Sequence, residues 1–587
     1  MGRNEPEAAA SPGWTLYLVG AGFLLGQVAV LPGATSQFRL PKEVVILTAL
    51  AIAAGFGGAW ALRRGTLVLP TGRLVMVLAA LPALQALSLL WSENPRRAVT
   101  SALVTLIWVG GILWLSTLSA HCRRRLVLAT ALGAAISAAV MILQASGMKV
   151  LELGPASAAG RRSLTGLAGN PADLAMASVL LLPLLLTWGE ESRRRWLYRA
   201  LAALLALATL LSQTLTGLVA LAAVLVVWLI RQRSRALWLV TVAFAVVLLA
   251  IALAAGLGAR VERAAEQVRA GEWYILLSAR GDGWTAGAEM VRNRPMLGVG
   301  AANYTQAYYP SRLNWLSRRG GTGLRGELAS HFEWAHCDPL QQVAELGIPG
   351  ALWILALVVA IAGARARAGP VLPLMAAASA PFLLLHYPTH VAVGLIPMAL
   401  VLAQILAEGG DGARLVALKR GRLPIAAALV ALALAGSAWQ LRRAALSLWM
   451  GGLEQRLLLI QANDPDRRSR GAAAVEAQVL PRIGRYPGQA PTLWRTVGRA
   501  RLLRGDARGA ETAFRAAFAG WPHEDAEFYL GLSLAAQGRR SEALQHLGRV
   551  CRTNPALAAL IPDPSLRQSV KDMVAVYRRT KPSGAAG

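Results

Sequence analysis

Apolar positions run together in this chain, in blocks separated by short polar segments. Blocks long enough to cross a bilayer, roughly 17 to 25 residues each, begin near Trp14, Val44, Leu74, Ala98, Leu126, Ala172, Leu197, Leu215, Ala236, Pro339, Val371, His390 and Leu423. The pattern predicts an all-α, polytopic membrane protein with about 13 transmembrane helices. Between Leu197 and Ile230 only Ser212-Gln213-Thr214-Leu215-Thr216 supplies a turn. Two polar stretches interrupt the blocks: residues 257–338, and everything after about Trp439.

Composition agrees with that reading. Of 587 residues, 55% are hydrophobic and 16% charged, and the mean hydropathy is +0.46, which excludes an ordinary soluble protein of this size. Spans repeated this often exclude a cleaved signal peptide as the source of the first block, which is expected to remain as an anchor. With a cytoplasmic N-terminus, the inner loops hold nineteen basic residues, including Arg63, Arg64, Arg123, Arg124 and Arg125, and the short outer loops seven. The positive-inside rule therefore places residues 257–338 and the tail outside.

The net charge of +29 does not signal nucleic acid, because the basic residues flank spans, where they anchor to anionic lipid head groups. Only three cysteines occur, and at most Cys337 and Cys551 are placed to pair. No disulfide framework or Cys-x-x-Cys metal spacing exists.

The chain is thus expected to divide into a membrane domain over residues 1–440, including the long periplasmic loop 257–338, and a periplasmic α-helical repeat domain over 441–587. In the tail, Trp494, Gly498, Ala510, Phe514, Ala517 and Pro522 align with Glu527, Gly531, Ala543, Leu547, Val550 and Pro555 at a constant offset of 33 residues. This spacing matches tetratricopeptide helix pairs. Such pairs cannot bury their apolar faces alone, so residues 444–486 are expected to stack as a degenerate first unit and 566–577 as a cap. The tail then either offers a docking surface for an envelope protein or stabilises the outer face.

Three outer segments carry polar residues that topology alone does not require. In the first, Gly160 to Pro171, Asn170 is placed to cap a helix or bind substrate, and Arg161 and Arg162 beside its N-terminus form an anion site. Either arginine alone also serves as a contact to lipid phosphate. In the second, Arg280, Trp284 and Ala288 recur every fourth residue and share a helical face. Such a helix is expected to lie at the interface, with Trp284 as its aromatic anchor and Arg280 directed at a phosphate. The Gly298-Val299-Gly300 element follows no strand and reads as a tight turn.

The third segment is Glu333-Trp-Ala-His336-Cys337-Asp338-Pro, continuing to Glu345-Leu-Gly347-Ile-Pro-Gly350. It sets an imidazole among carboxylates where water meets lipid, suited to deprotonating a hydroxyl. Nearby carboxylates raise the imidazole pKa and desolvation lowers it. His331 and His336, five residues apart without a helix-matched third ligand, make only a weak metal pair, and no motif asks for a cofactor. His386 and His390 are read as interfacial. Glu345 apart, span interiors carry no charged relay, which argues for chemistry at the outer surface over transport.

On three pieces in order, the chain resembles the O-antigen ligase and polymerase superfamily of bacterial membrane glycosyltransferases. They are Gly169-Asn170-Pro171 before a span; Arg280 with Trp284 and Arg294-Pro295-Met-Leu-Gly298-Val-Gly300; and His336-Cys337-Asp338-Pro-Leu340-Gln341 through Gly350. Family members commonly carry Asn where this chain has Cys337. The resemblance implies an inner-membrane enzyme that needs no metal or cofactor. It would move a glycan from an undecaprenyl diphosphate carrier to an acceptor hydroxyl, such as a lipid A core sugar, at the periplasmic face. It implies His336 as the catalytic base, and Arg280 with Arg161 or Arg162 as diphosphate ligands; Asn170, Glu333 and Asp338 complete the expected substrate-binding set. A polysaccharide polymerase and a protein O-oligosaccharyltransferase share the donor chemistry. A non-catalytic scaffold with docking repeats is the alternative from another class.

Overall fold

The computed structural model describes residues 13–64, 66–148, 150, 163–232, 234–320, 331–364, 369–409, 414–417, 422–461 and 464–579. Arg161 and Arg162 lie outside them. The membrane region contains α1 (Gly13–Val28), α2 (Arg39–Arg64), α3 (Arg73–Leu87), α4 (Pro95–Ser116), α5 (Ala120–Ala145), α6 (Pro171–Glu190), α7 (Arg195–Leu211), α8 (Leu215–Arg231) and α9 (Arg235–Ala254). The long polar loop, expected on the outer side, folds as α10 (Leu257–Arg269), α11 (Trp273–Leu276), α12 (Arg280–Asn293) and α13 (Tyr304–Arg319). The membrane then continues with α14 (Asp338–Gly363), α15 (Val371–Leu385), α16 (Ala392–Gly409) and α17 (Arg422–Gln461).

A helix stands at each of the thirteen expected starts, but among the described residues seven helices are long and apolar enough to span, or eight if the pair bent by 79° at residues 255–256 is one span. Helices α1, α8, α15 and α16 are apolar yet shorter. Among the described residues the only strands are β1 (Thr66–Leu69) and β2 (Arg414–Ala417), an antiparallel ribbon with Thr66 opposite Ala417. It ties the ends of α2 and α17, which also pack along their lengths. A Cβ on Gly55 of α2 would come within 2.5 Å of the Ala433 methyl, so the small residue sets this close approach.

Helix ends gather in two groups. On one side Arg39, Asp173 and Tyr387 meet; on the other Arg124 pairs with Glu191, and Arg123 reaches Gln404. The two groups lie at opposite ends of α6.

Helix α17 runs unbroken through residue 440, so the membrane region and tail are joined by helix, not by a linker. At 40 residues it is about 60 Å long, and its distal half packs Met450, Leu453 and Leu457 against α18 (Pro465–Ile483) and α19 (Ala490–Leu503). The tail continues with α20 (Ala507–Gly520), α21 (Glu524–Ala536), α22 (Arg540–Thr553) and α23 (Pro564–Arg579). Its 33-residue offset has a packing counterpart. A Cβ on Gly498 would meet the Phe514 ring at 2.7 Å, and one on Gly531 would meet Leu547 at the same distance.

The outer loop and tail share one hydrophobic core. Tyr304, Tyr308, Tyr309 and Phe332 are buried in the same cluster as Phe514, Phe528 and Leu547. Burial of this size, roughly 2 kcal/mol per large side chain, makes the tail a supporting wall for the loop.

Candidate active site

The segment 331–337 lies between the loop–tail core and the membrane helices. His336 sits at its end with φ +56, a left-handed backbone that most residues avoid. It is fixed by neighbours on both sides. Trp284 Nε1 donates to the His336 carbonyl at 3.4 Å, and Gly283 passes so close to Ala335 O that a Cβ there would sit 2.9 Å from it. Trp284, expected as an interfacial anchor, thus also ties α12 to the His336 segment.

The His336 ring packs edge-on to Phe332 and Tyr387, with centroids 5.0 and 4.7 Å away, and lies 6.1 Å from His386. Its Nδ1 is 3.1 Å from Trp334 O. A carbonyl only accepts, so Nδ1 carries the proton and Nε2 keeps a bare lone pair. Burial, then the charges of His386, Arg280 and Arg39, push the His336 pKa down to about 3, against a smaller upward pull from Trp334 O. The desolvation outcome prevails because the carboxylates expected beside the ring face elsewhere. Asp338 takes the Thr389 amide and hydroxyl at 2.9 and 2.7 Å and the His390 ring at 3.1 Å. Glu333 lines a cavity on the tail side with Arg495 and His523.

Arg280 opens α12 after two left-handed residues, Ser278 and Ala279. Its Nη1 makes one long bond, 3.4 Å, to Leu277 O, and its buried Nε has no partner. Burial lowers its pKa against the pull of Tyr387. A guanidinium with donors left uncommitted beside an imidazole lone pair is suited to an anion.

The sequence reading missed the other side of the site. Arg39 donates to Asp173 through Nε at 3.0 Å and Nη2 at 3.4 Å, and also to the Tyr387 hydroxyl. Its guanidinium carbon stacks 5.1 Å from the Trp334 ring and 5.0 Å from that of Tyr387. His386, read from sequence as interfacial, is buried with Nε2 3.7 Å from Asp173. Its Nδ1 accepts the Tyr387 amide at 3.0 Å, and burial holds its pKa well below the ordinary value. Asp173 follows the Asn170-Pro171 helix start by two residues, the one signal that could have drawn attention to it. Asn170 acts as the cap of α6, with Oδ1 accepting from Ala172 N at 2.9 Å.

The two glycine motifs interlock. Gly347 (φ +63, ψ −145) breaks α14 into two helical pieces. There Val299 and Gly300 donate to the carbonyls of Ala344 and Glu345 at 3.0 and 2.9 Å, and Ile348 donates to Pro295 O at 3.0 Å. The Glu345 side chain accepts Ala302 N at 2.7 Å and Gln341 Nε2 at 2.9 Å. Glu345 thus clasps the two motifs together. Cys337 and Cys551 are both free thiols.

Residues 200–355 match the O-antigen ligase family. That segment belongs to the O-antigen ligase superfamily. The match contains Arg280, His336, Asp338 and the interlocked glycines; the family indicates membrane glycosyltransferase activity of the O-antigen ligase type in general, with lipid-linked glycans and polysaccharide acceptors as its partners. No curated protein matches the chain.

Proposed function

We propose that the protein transfers a glycan from an undecaprenyl diphosphate carrier to an acceptor hydroxyl, a lipid A core sugar or similar, at the periplasmic face of the inner membrane. The observation that carries this reading is the buried Arg280 guanidinium, its Nε without a partner, whose charge acts on a His336 ring that presents a bare Nε2. The acceptor oxygen attacks the anomeric carbon while its proton passes to Nε2. The bond from that carbon to the diphosphate oxygen breaks, and its electron pair leaves with the carrier. Attack opposite the leaving group inverts the anomeric centre in one displacement and requires no metal.

Arg280 and Arg39 act on the departing diphosphate. Two unit charges 4 Å apart at an effective dielectric of about 20 attract by roughly 4 kcal/mol, so fixed guanidinium groups favour the charge that grows in the transition state. The same anion offsets two of the charges that depress the His336 pKa, so donor binding strengthens the base. The aromatic wall of Trp334 and Tyr387 holds the Arg39 plane in place.

The deciding experiment incubates purified full-length protein with a defined undecaprenyl diphosphate glycan and candidate acceptors. Transfer is expected from the wild type and not from His336→Ala or Arg280→Ala. Normal transfer by both folded variants would overturn the site. In a deletion strain, carrier loaded with full-length glycan indicates a lost ligase, and single repeats a lost polymerase.

A further inference from the structure

Where the outer loop meets the tail, a second group of ligating side chains has no part in glycan transfer. The rings of His331 and His523 stack with centroids 4.2 Å apart and planes 27° from parallel. The Glu524 carboxylate lies 2.8 Å from His331 Nδ1 and 4.0 Å from His523 Nδ1. One ligand atom from each of the three falls within 4.8 Å of the others. His331 comes from the loop, and His523 and Glu524 from the start of α21.

The His331 ring is already held by the backbone. His331 Nε2 sits 2.9 Å from Thr305 O, so this nitrogen donates and Nδ1 is the atom left facing Glu524. A carbonyl that fixes the tautomer in this way is how metal-bound imidazoles are usually oriented. A lone pair 2.8 Å from a carboxylate needs a positive centre between them, either a proton or a metal ion. Beside the three residues lies a cavity of about 420 Å³, reaching Asp525 and Arg495. Asp525 Oδ2 is 3.8 Å from His523 Nδ1, and with a solvent-reachable oxygen there the donor set becomes two nitrogens and two carboxylates. Mixed imidazole and carboxylate donors suit zinc better than calcium or magnesium.

We propose that His331, His523 and Glu524 form a zinc-class transition-metal site that clips the periplasmic tail to the loop bearing His336. His523 Nδ1 now accepts the Asp525 amide at 3.1 Å and Arg495 Nη1 at 3.4 Å, so metal binding exchanges these two hydrogen bonds for a coordinate bond and turns the Arg495 guanidinium toward Asp525. The clip also fixes the segment carrying the reactive imidazole. A series of ring contacts runs from His331 to Tyr308, Phe332 and His336, with centroid separations of 5.0, 5.7 and 5.0 Å.

The test uses full-length protein in detergent, stripped with EDTA and dialysed against zinc alone. One zinc per chain is expected, together with a higher thermal midpoint. Glu524→Gln and His523→Asn should each weaken zinc affinity by more than about 100-fold, beyond what loss of an outer-shell partner costs, and abolish the zinc-dependent rise. Asn at 523 still caps α21, so equal zinc-free midpoints separate ligand loss from misfolding. If His523→Asn does not fold, Glu524→Gln decides alone. No zinc on the wild type above a protein-free blank, or equal zinc on wild type and variants, would overturn the proposal and leave a proton between His331 and Glu524.

Discussion

The Tyr309 hydroxyl donates to Glu527 at 2.5 Å, joining the outer loop to the tail across 218 positions of sequence. Both groups are buried, and Glu527 also receives His546 at 2.9 Å and Arg549 at 2.6 Å. Tyr309→Phe removes one of three partners, so a loss of about 1 to 2 kcal/mol is expected, read as a lower thermal midpoint. Removing residues 441–587 instead strips an entire side of the shared core, and transfer should vanish along with the fold of the loop. Full activity in that truncation would disprove the supporting role of the tail.

Glycan transfer should respond to acid through His336. Its folded pKa, about 3, lies below the ordinary value near 6.5, so between those limits the unfolded chain binds more protons than the folded one. Stability from this group is therefore complete above pH ~6.5 and declines as the pH falls towards 3. Since bound diphosphate offsets the nearby guanidinium charges, the acid limb of kcat should lie at higher pH than that of kcat/KM. Coincident limbs would argue against an anion held beside this ring.

Gly347→Ala is expected to be severe. The new Cβ would lie 2.5 Å from the Met296 carbonyl carbon, at a backbone with φ +63. Strain there costs on the order of 1 to 3 kcal/mol before the clash is added. Low yield and a reduced midpoint in detergent are the readouts; near-normal stability would mean the clasp can open.

Cys337→Asn tests the departure from the usual family residue. Cys337 occupies the N-cap position of α14 and makes no side-chain capping bond. Asn there should stabilise the helix start by about 0.5 to 2 kcal/mol. Transfer to the native acceptor that stays unchanged would show that the thiol plays no part in acceptor choice.

Much of this architecture was legible in the amino-acid order. Uninterrupted apolar blocks gave the helix starts, because a bilayer demands them, and the 33-residue offset gave the paired Gly498–Phe514 and Gly531–Leu547 contacts. Arg280 and His336 stood out because loop polarity near a span has no packing reason. Arg39 did not, since one arginine at the head of an apolar block looks the same whether it meets lipid phosphate or Asp173. The partners of Asp338 and Glu333 were misjudged for a related reason: proximity in sequence says little about direction, and the turn at His336 sends its neighbours to opposite sides. The cluster of His331, His523 and Glu524 was beyond reach, because His331 stands 193 positions from Glu524.

Because residues near 309 and 527 must meet before the core closes, the segment presenting His336 matures late in synthesis. A nascent chain halted anywhere before α21 would hold its membrane helices and its imidazole, yet lack the scaffold that orients them. Under the proposed function, products terminated before α21 should therefore be inert toward the lipid-linked pool.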